Sequence, residues 1–314
     1  MNCMDRFVSE VEAGIAELLS GPAPCTLRAA AGHLCLAEGA KRARPRLVHA
    51  FGQAVDAPRE RLVEIALAAE LIHSASLLHD DVVDAGAERR GRPTANAVFG
   101  NHTAVLAGDL LLSFALQALR PHPAVTTALG VDVVAAMTRA AIQEVEARGD
   151  ASLSLPAWRG IAAGKTGALF AFCGAAPALF AGDEEAARRF SEVGDRLGIA
   201  FQLADDLQDG DPGRGKDAFA DLRQKNPSAL LALASARSAD FKGALERAWA
   251  KPAPLGDAEV AALGEALEVT GARASLRGLL LEEVEGAVLA LGPYLERPGI
   301  AEVAGWARAL ATIG

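Results

Sequence analysis

Apolar residues recur at helical spacing along almost the whole chain, as in Leu62, Ile65, Ala66, Ala69 and Ile72, and again in Val193, Leu197, Ala200 and Phe201. No stretch alternates apolar and polar residues as a half-buried strand would, and no hairpin signal stands between two such stretches. Breakers cluster between the periodic segments: Gly21 to Pro24, Gly86 to Pro93, Pro121-His122-Pro123, Gly210 to Gly215 and Lys251 to Pro254. The pattern predicts an all-α protein, a single large helical domain of about ten to thirteen helices. The Pro-containing segment at 251–256 is the best candidate linker, and 257–314 is a possible small C-terminal helical subregion of that one domain.

The first nineteen residues mix Asp5, Arg6, Glu10, Glu12 and Glu17 with apolar positions, which predicts an amphipathic helix rather than a signal peptide. Thr166 to Gly182 carries no charge, but it holds Gly167, Gly174, Pro177 and Gly182 and sits at the short limit for a spanning helix. A buried helix is the better expectation, so no membrane span is predicted. Cys3, Cys25, Cys35 and Cys173 are scattered without a CxxC pair and read as thiols of a cytoplasmic protein.

Composition narrows the core and the partners. Only 5% of the 314 residues are aromatic, with a single Tyr, so the core must be built from Ala, Leu and Val, which suits close-packed helices. There are 31 Lys and Arg against 40 Asp and Glu, a net charge of −9, which argues against nucleic acid as a partner.

Those acidic residues are not spread evenly. The periodic segment from Leu71 to Asp84 ends in Asp80-Asp81-Val82-Val83-Asp84, a DDxxD pattern whose first and last carboxylates stand one helical turn apart. Free carboxylates following the apolar Leu77-Leu78 are costly without a counter-cation. A solvated acidic helix end would explain one such cluster. The same spacing returns at Asp205-Asp206-Leu207-Gln208-Asp209, again closing an apolar helical segment, and two are hard to read as accident. Oxygen-only ligands of this kind suit Mg2+, held by one or two carboxylates plus substrate phosphates. Two basic knots fit the phosphate: Lys41-Arg42-Ala43-Arg44-Pro45-Arg46, and Arg89-Arg90-Gly91-Arg92.

With these residues in place, the chain resembles the trans-prenyl diphosphate synthases of the polyprenyl synthetase family. The matching motifs are Gly39 to Pro45, His73 to Asp84, Arg89-Arg90-Gly91, Gly108-Asp109, Lys165-Thr166, Phe201-Gln202 with Asp205 to Asp209, Gly215-Lys216, and Asp221 with Lys225, in the family's order. The resemblance implies the isoprenoid synthase fold, all-α around a central cavity with the two Asp-rich helices facing each other, and a homodimer. It also implies the reaction. Mg2+, about three ions per active site, draws charge onto the leaving diphosphate of an allylic substrate, whose C–O bond ionises. The double bond of isopentenyl diphosphate attacks the cation, and the departing diphosphate takes the proton then lost.

By the same resemblance the metal ligands are Asp80, Asp81, Asp84, Asp205 and Asp209, with Asp206 in support. Lys41, Arg44, His73 and Arg90 match the isopentenyl diphosphate site. Arg89, Lys165, Thr166, Gln202, Lys216 and Lys225 match the allylic diphosphate site. Asp80, Asp84, Asp205 and Lys165 are the residues expected to carry catalysis, and His79 matches a framework position. Ala40 stands where the family usually has a second Gly, Gln208 where it is usually apolar, and Lys225-Asn226-Pro227-Ser228 only approximates its Lys-x-Thr-Leu-Pro.

Chain length depends on the wall below Asp80. Residues one to three turns earlier on that helix, Ser76, Ala75, Ile72 and Ala68, are mostly small, and the motif resembles the medium-to-long-chain branch. The expected product is geranylgeranyl diphosphate or longer, with Phe114, Phe170 and Phe172 as alternative floors. Three other readings compete: a non-catalytic subunit of a heteromeric synthase, a class I terpene cyclase, and an HD-type phosphohydrolase built on His49 and His79-Asp80. The last two leave the second DDxxD unexplained.

Overall fold

The computed structural model describes residues 2–21, 25–37, 39–209 and 219–313. Among them are sixteen α-helical segments, more than the ten to thirteen expected, because short segments such as α5 (Ala95–Phe99) and α11 (Ala220–Gln224) lie below the length at which periodicity is readable. The all-α expectation holds, and the chain divides into two compact units.

Unit 1 comprises Met1–Val134, Phe172–Ser191 and Pro293–Val303. Its axis is α4 (Arg59–Val83), which starts after Pro58, carries Glu60 in its first turn, and stops where Ala85 turns to positive φ. Helix α4 packs most extensively against α6 (Asn101–Leu119) and next against α3 (Ala43–Ala54). Small residues allow the approach: Ala66, Ala68, Ala69 and Ala75 on α4 and Ala104, Ala107, Gly108 and Ala115 on α6 are all buried. Helices α1 (Cys3–Leu19) and α2 (Thr26–Cys35) pack on this group. Three of the sparse aromatic side chains sit together here: Phe51 lies 4.7 Å from Phe190, and Phe190 stacks edge-on with Tyr294.

Between α4 and α5 the clustered breakers Gly86 to Pro93 predict a loop. The structure shows a two-residue hairpin, Glu88–Arg89 paired with Arg92–Pro93, too short to give an alternating signal. Its turn residues, Arg90 and Gly91, both take positive φ (54° and 72°), the arrangement whose twist matches paired strands.

Unit 2 comprises Ala135–Ala171, Glu192–Gly292 and Ala304–Gly314. Here α12 (Ala229–Arg237) packs against α15 (Ala272–Leu291), α13 (Ala239–Trp249) and α8 (Leu155–Ala162). Helix α14 (Asp257–Val269) joins α11, α13 and α15. Of the region 257–314, most belongs to unit 2 and 293–303 to unit 1. Helices α7 (Ala124–Glu146), α9 (Ala168–Ala181), α10 (Glu184–Gln208) and α16 (Ile300–Ala311) each run through both units. Asp183 caps α10 by accepting the amide of Ala186 at 2.8 Å.

The uncharged stretch beginning at Thr166 is helical, and 61% of the most apolar window of Leu155–Ala181 is buried, as for a core element. By length and composition alone, three further helices could cross a membrane: Arg59–Val83, Asn101–Leu119 and Ala124–Glu146.

Candidate active site

The first aspartate motif closes α4 in unit 1. Asp81 points inward and is 5% exposed, whereas Asp84 at the helix C-cap is exposed and Asp80 is half-buried. The Oδ1 of Asp81 accepts both Nε and Nη2 of Arg89, at 2.9 and 2.8 Å, while its Oδ2 is buried with no hydrogen-bond partner. The hairpin thus brings Arg89 back onto the end of α4 and leaves Arg90 exposed at its turn. A small cleft of about 50 Å³ beside them is lined by His33, Asp81, Arg89, Arg90, Arg92 and Thr94.

His73 lies two turns before Asp80 on α4. Burial pushes its pKa well below 6.5, and the charges of Arg44, Arg90, Arg89 and Arg42 push the same way, so it is neutral at physiological pH. Arg44 and Arg90 are thus both near enough for their charges to act on this imidazole. Lys41 is exposed on the loop before α3, and Arg44 is half-buried on the first turn of α3. The backbone accommodates the departure at Ala40, because the positive φ values of that segment fall on Gly39 (81°) and Arg42 (48°) rather than on Ala40. The Nε2 of His79 lies 3.1 Å from the Val105 carbonyl and 3.5 Å from Asp109, and a Cβ on Gly108 would sit 2.3 Å from that nitrogen. That contact accounts for the Gly108-Asp109 pair.

Of the expected wall residues, Ala68, Ile72 and Ala75 are buried, and the Ser76 hydroxyl donates to the carbonyl of His73 at 2.8 Å. Phe114 is buried on α6 with the Arg28 guanidinium 5.6 Å from its ring centroid. Phe172 is fully buried, and Phe170 lies 6.3 Å from Phe201.

The second motif closes α10 in unit 2 and repeats the pattern of the first. Its middle carboxylate, Asp206, is 7% exposed and accepts the amide of Ala229 at 2.6 Å, whereas Asp205 is exposed. Burial, and then the charge of Asp221, hold Asp206 well above the usual carboxylate range. Burial also raises Asp209, although its Oδ1 accepts the Ala220 amide at 2.8 Å. Asp205, Asp206, Asp209 and Asp221 therefore form an anionic knot that a divalent cation would relieve. Gln208, the polar departure, donates to the Ala204 carbonyl one turn back at 3.1 Å.

Lys165 and Thr166 lie on a single π-helical turn, Ala163–Gly167, between α8 and α9. Thr166 donates to the side-chain oxygen of Gln202 at 3.2 Å, and Lys165 is paired with Glu144. This contact depends on Gly198, one turn before Gln202: a Cβ there would lie 2.5 Å from the Cα of Gly167. Lys225 takes positive φ and directs its ammonium to backbone carbonyls, that of Trp249 at 2.7 Å and that of Lys251. Ser228, in the segment that departs from the family pattern, caps α12. Lys216 lies outside the described residues.

Among the described residues no three His, Cys, Asp or Glu side chains converge as a closed metal cage. The donor set nonetheless fits Mg2+, an ion that keeps waters and takes substrate phosphates as ligands.

A model of the polyprenyl synthetase family matches residues 25–264. The chain belongs to the polyprenyl synthetase family. That is the family of the trans-prenyl diphosphate synthases, prenyltransferases of isoprenoid biosynthesis. The octaprenyl diphosphate synthase of Haemophilus influenzae is 34% identical over 198 residues, which cover 62% of this chain and 60% of that protein. The geranylgeranyl diphosphate synthase of Sulfolobus acidocaldarius is 33% identical over 244 residues, 73% of each chain. A polyprenyl synthase from Caulobacter crescentus, crystallised with calcium and isoprenyl diphosphate, superimposes with a TM-score of 0.87 at 28% identity, covering 99% of this chain and 98% of that one. Both aspartate motifs lie within the stretch that matches the polyprenyl synthetase family.

Proposed function

We propose that the protein condenses isopentenyl diphosphate with an allylic diphosphate in head-to-tail elongation, giving geranylgeranyl diphosphate or a longer product. A carbon–carbon bond forms as the allylic C–O bond breaks, and the released diphosphate carries away the proton. The single observation behind this reading is the repeated aspartate motif, each copy burying its middle carboxylate and keeping the first more accessible. Asp80, Asp84 and Asp205 hold Mg2+, with Asp209 as a further ligand. When bound, Mg2+ supplies the positive charge that stabilises the departing diphosphate. Lys41, Arg44 and Arg90 bind the diphosphate of isopentenyl diphosphate, and the neutral His73 adds a hydrogen bond without a further charge. Arg89, Lys165, Thr166 and Gln202 hold the allylic diphosphate.

The small side chains on α4 favour a long product. Exposed Val105, Leu106 and Leu116 on α6 fit the apolar face of a homodimer, and the cysteine thiols fit a cytoplasmic protein. The test is to incubate the protein with isopentenyl diphosphate, Mg2+ and each allylic diphosphate in turn and to weigh the products. Elongated diphosphates of geranylgeranyl length or more are expected, and Asp80→Ala should abolish them without changing helical circular dichroism. Cyclic hydrocarbons would reassign the protein as a cyclase, phosphate release alone as a hydrolase, and full activity of Asp80→Ala would remove the metal assignment.

A further inference from the structure

By charge alone, Lys41, Arg42, Arg44 and Arg46 read as four equivalent ligands for one phosphate. The structure separates them. Arg46 pairs with Asp5 at 3.4 Å. Arg42 is turned inward, 5% exposed, and each of its three nitrogens has a partner on a different helix of unit 1. Nε donates to Glu12 of α1 at 3.1 Å, Nη1 to Glu70 of α4 at 2.7 Å, and Nη2 to the carbonyl of Cys35, the last residue of α2, at 2.7 Å.

Arg42 also takes left-handed φ and ψ (48° and 43°), a conformation that residues with a Cβ avoid, at the point where the chain enters α3. Its backbone therefore sets the direction of Lys41 before it and of Arg44 after it. Glu70, 4% exposed, stands three residues before His73 on the same helix. One buried ion pair thus ties the junction between the loop bearing Lys41 and the first turn of α3 bearing Arg44 to the stretch of α4 bearing His73.

We infer that Arg42 is a positioning residue: with Glu70 as its anchor, it holds the left-handed turn from which Lys41 and Arg44 meet the diphosphate of isopentenyl diphosphate. This rests on the reading of Lys41, Arg44 and His73 as that site. It assigns Arg42 no contact with substrate and predicts an effect confined to one of the two substrates. A rigid guanidinium fork satisfies three partners at once, which Lys cannot do, so Lys should restore only part of the effect.

The test uses the full chain. Isopentenyl diphosphate binding without an allylic partner is measured by calorimetry, and the KM of each substrate is measured in turnover. Glu70→Gln, which keeps an acceptor and removes the charge, and Arg42→Lys should each weaken isopentenyl diphosphate binding and raise its KM severalfold. Arg42→Met should do so about tenfold or more. The KM for the allylic diphosphate should stay within about twofold throughout. Because Arg42→Met leaves Glu70 buried without its partner, the double variant Arg42→Met with Glu70→Leu is included; it should recover thermal stability but not isopentenyl diphosphate affinity. Recovery of affinity along with stability in the double variant, equal losses for both substrates, or unchanged binding in Arg42→Lys and Glu70→Gln would overturn the inference. Failure of the unaltered protein to bind isopentenyl diphosphate would overturn the site reading beneath it.

Discussion

In each aspartate motif, successive side chains on a helix point about 100° apart, so two adjacent aspartates cannot share one surroundings. The middle carboxylates, Asp81 and Asp206, are buried and answer to Arg89 and to the Ala229 amide, while Asp84 and Asp205 are exposed. A DDxxD pattern in a sequence shows the shared face of its first and last members, but not which of its neighbouring carboxylates faces the core. That depends on an amide 23 residues away in one motif and on a hairpin in the other. The difference predicts different costs. Asp206→Ala leaves the Ala229 amide buried without its acceptor and should cost about 1–3 kcal/mol in urea unfolding. Asp205→Ala should change stability by less than about 0.5 kcal/mol while removing activity. Equal destabilisation by the two variants would contradict this division.

At the scale of elements, the helices were legible because burial repeats with their period, whereas the short hairpin and the π-turn escaped because neither is long enough to carry one. The π-turn matters most. It carries Lys165 and Thr166, and its approach to α10 depends on the absence of a side chain at Gly198. In the sequence only the family resemblance joins Thr166 and Gln202 in one site; the signal that joins them physically is this glycine one turn before Gln202. Gly198→Ala would place its Cβ 2.5 Å from backbone that cannot rotate away. The expected cost is about 1–3 kcal/mol in unfolding, with a raised KM for the allylic diphosphate and little change in that for isopentenyl diphosphate. Ordinary helix propensity predicts the opposite sign for stability, since Gly to Ala normally strengthens a helix, so one unfolding curve decides between them.

For the molecule as a whole, a net charge of −9 and two diphosphate substrates are compatible only if positive charge is concentrated locally and partly imported. On the proposed reading, Lys41, Arg44, Arg89 and Arg90 would provide the first part in unit 1. In unit 2, burial and then the charges of neighbouring carboxylates raise the proton affinity of Asp206 and Asp209, and cation binding should relieve that repulsion. Because no three described carboxylates close a cage, Mg2+ alone should find too few ligands, and phosphate oxygens must complete its shell. Protein stripped with a chelator should therefore gain little in Tm from Mg2+ alone or from inorganic pyrophosphate alone. The two together, at about a hundred times their joint dissociation constant, should add about 2.7 kcal/mol, a rise of a few degrees. NaCl at matched ionic strength should not reproduce it, because screening acts on all charges while the shared ion acts on these few. Asp205→Asn should remove most of the joint gain and none of the basal stability. A full rise with Mg2+ alone would mean that the carboxylates form a closed site without substrate, and the shared-ion reading would fall.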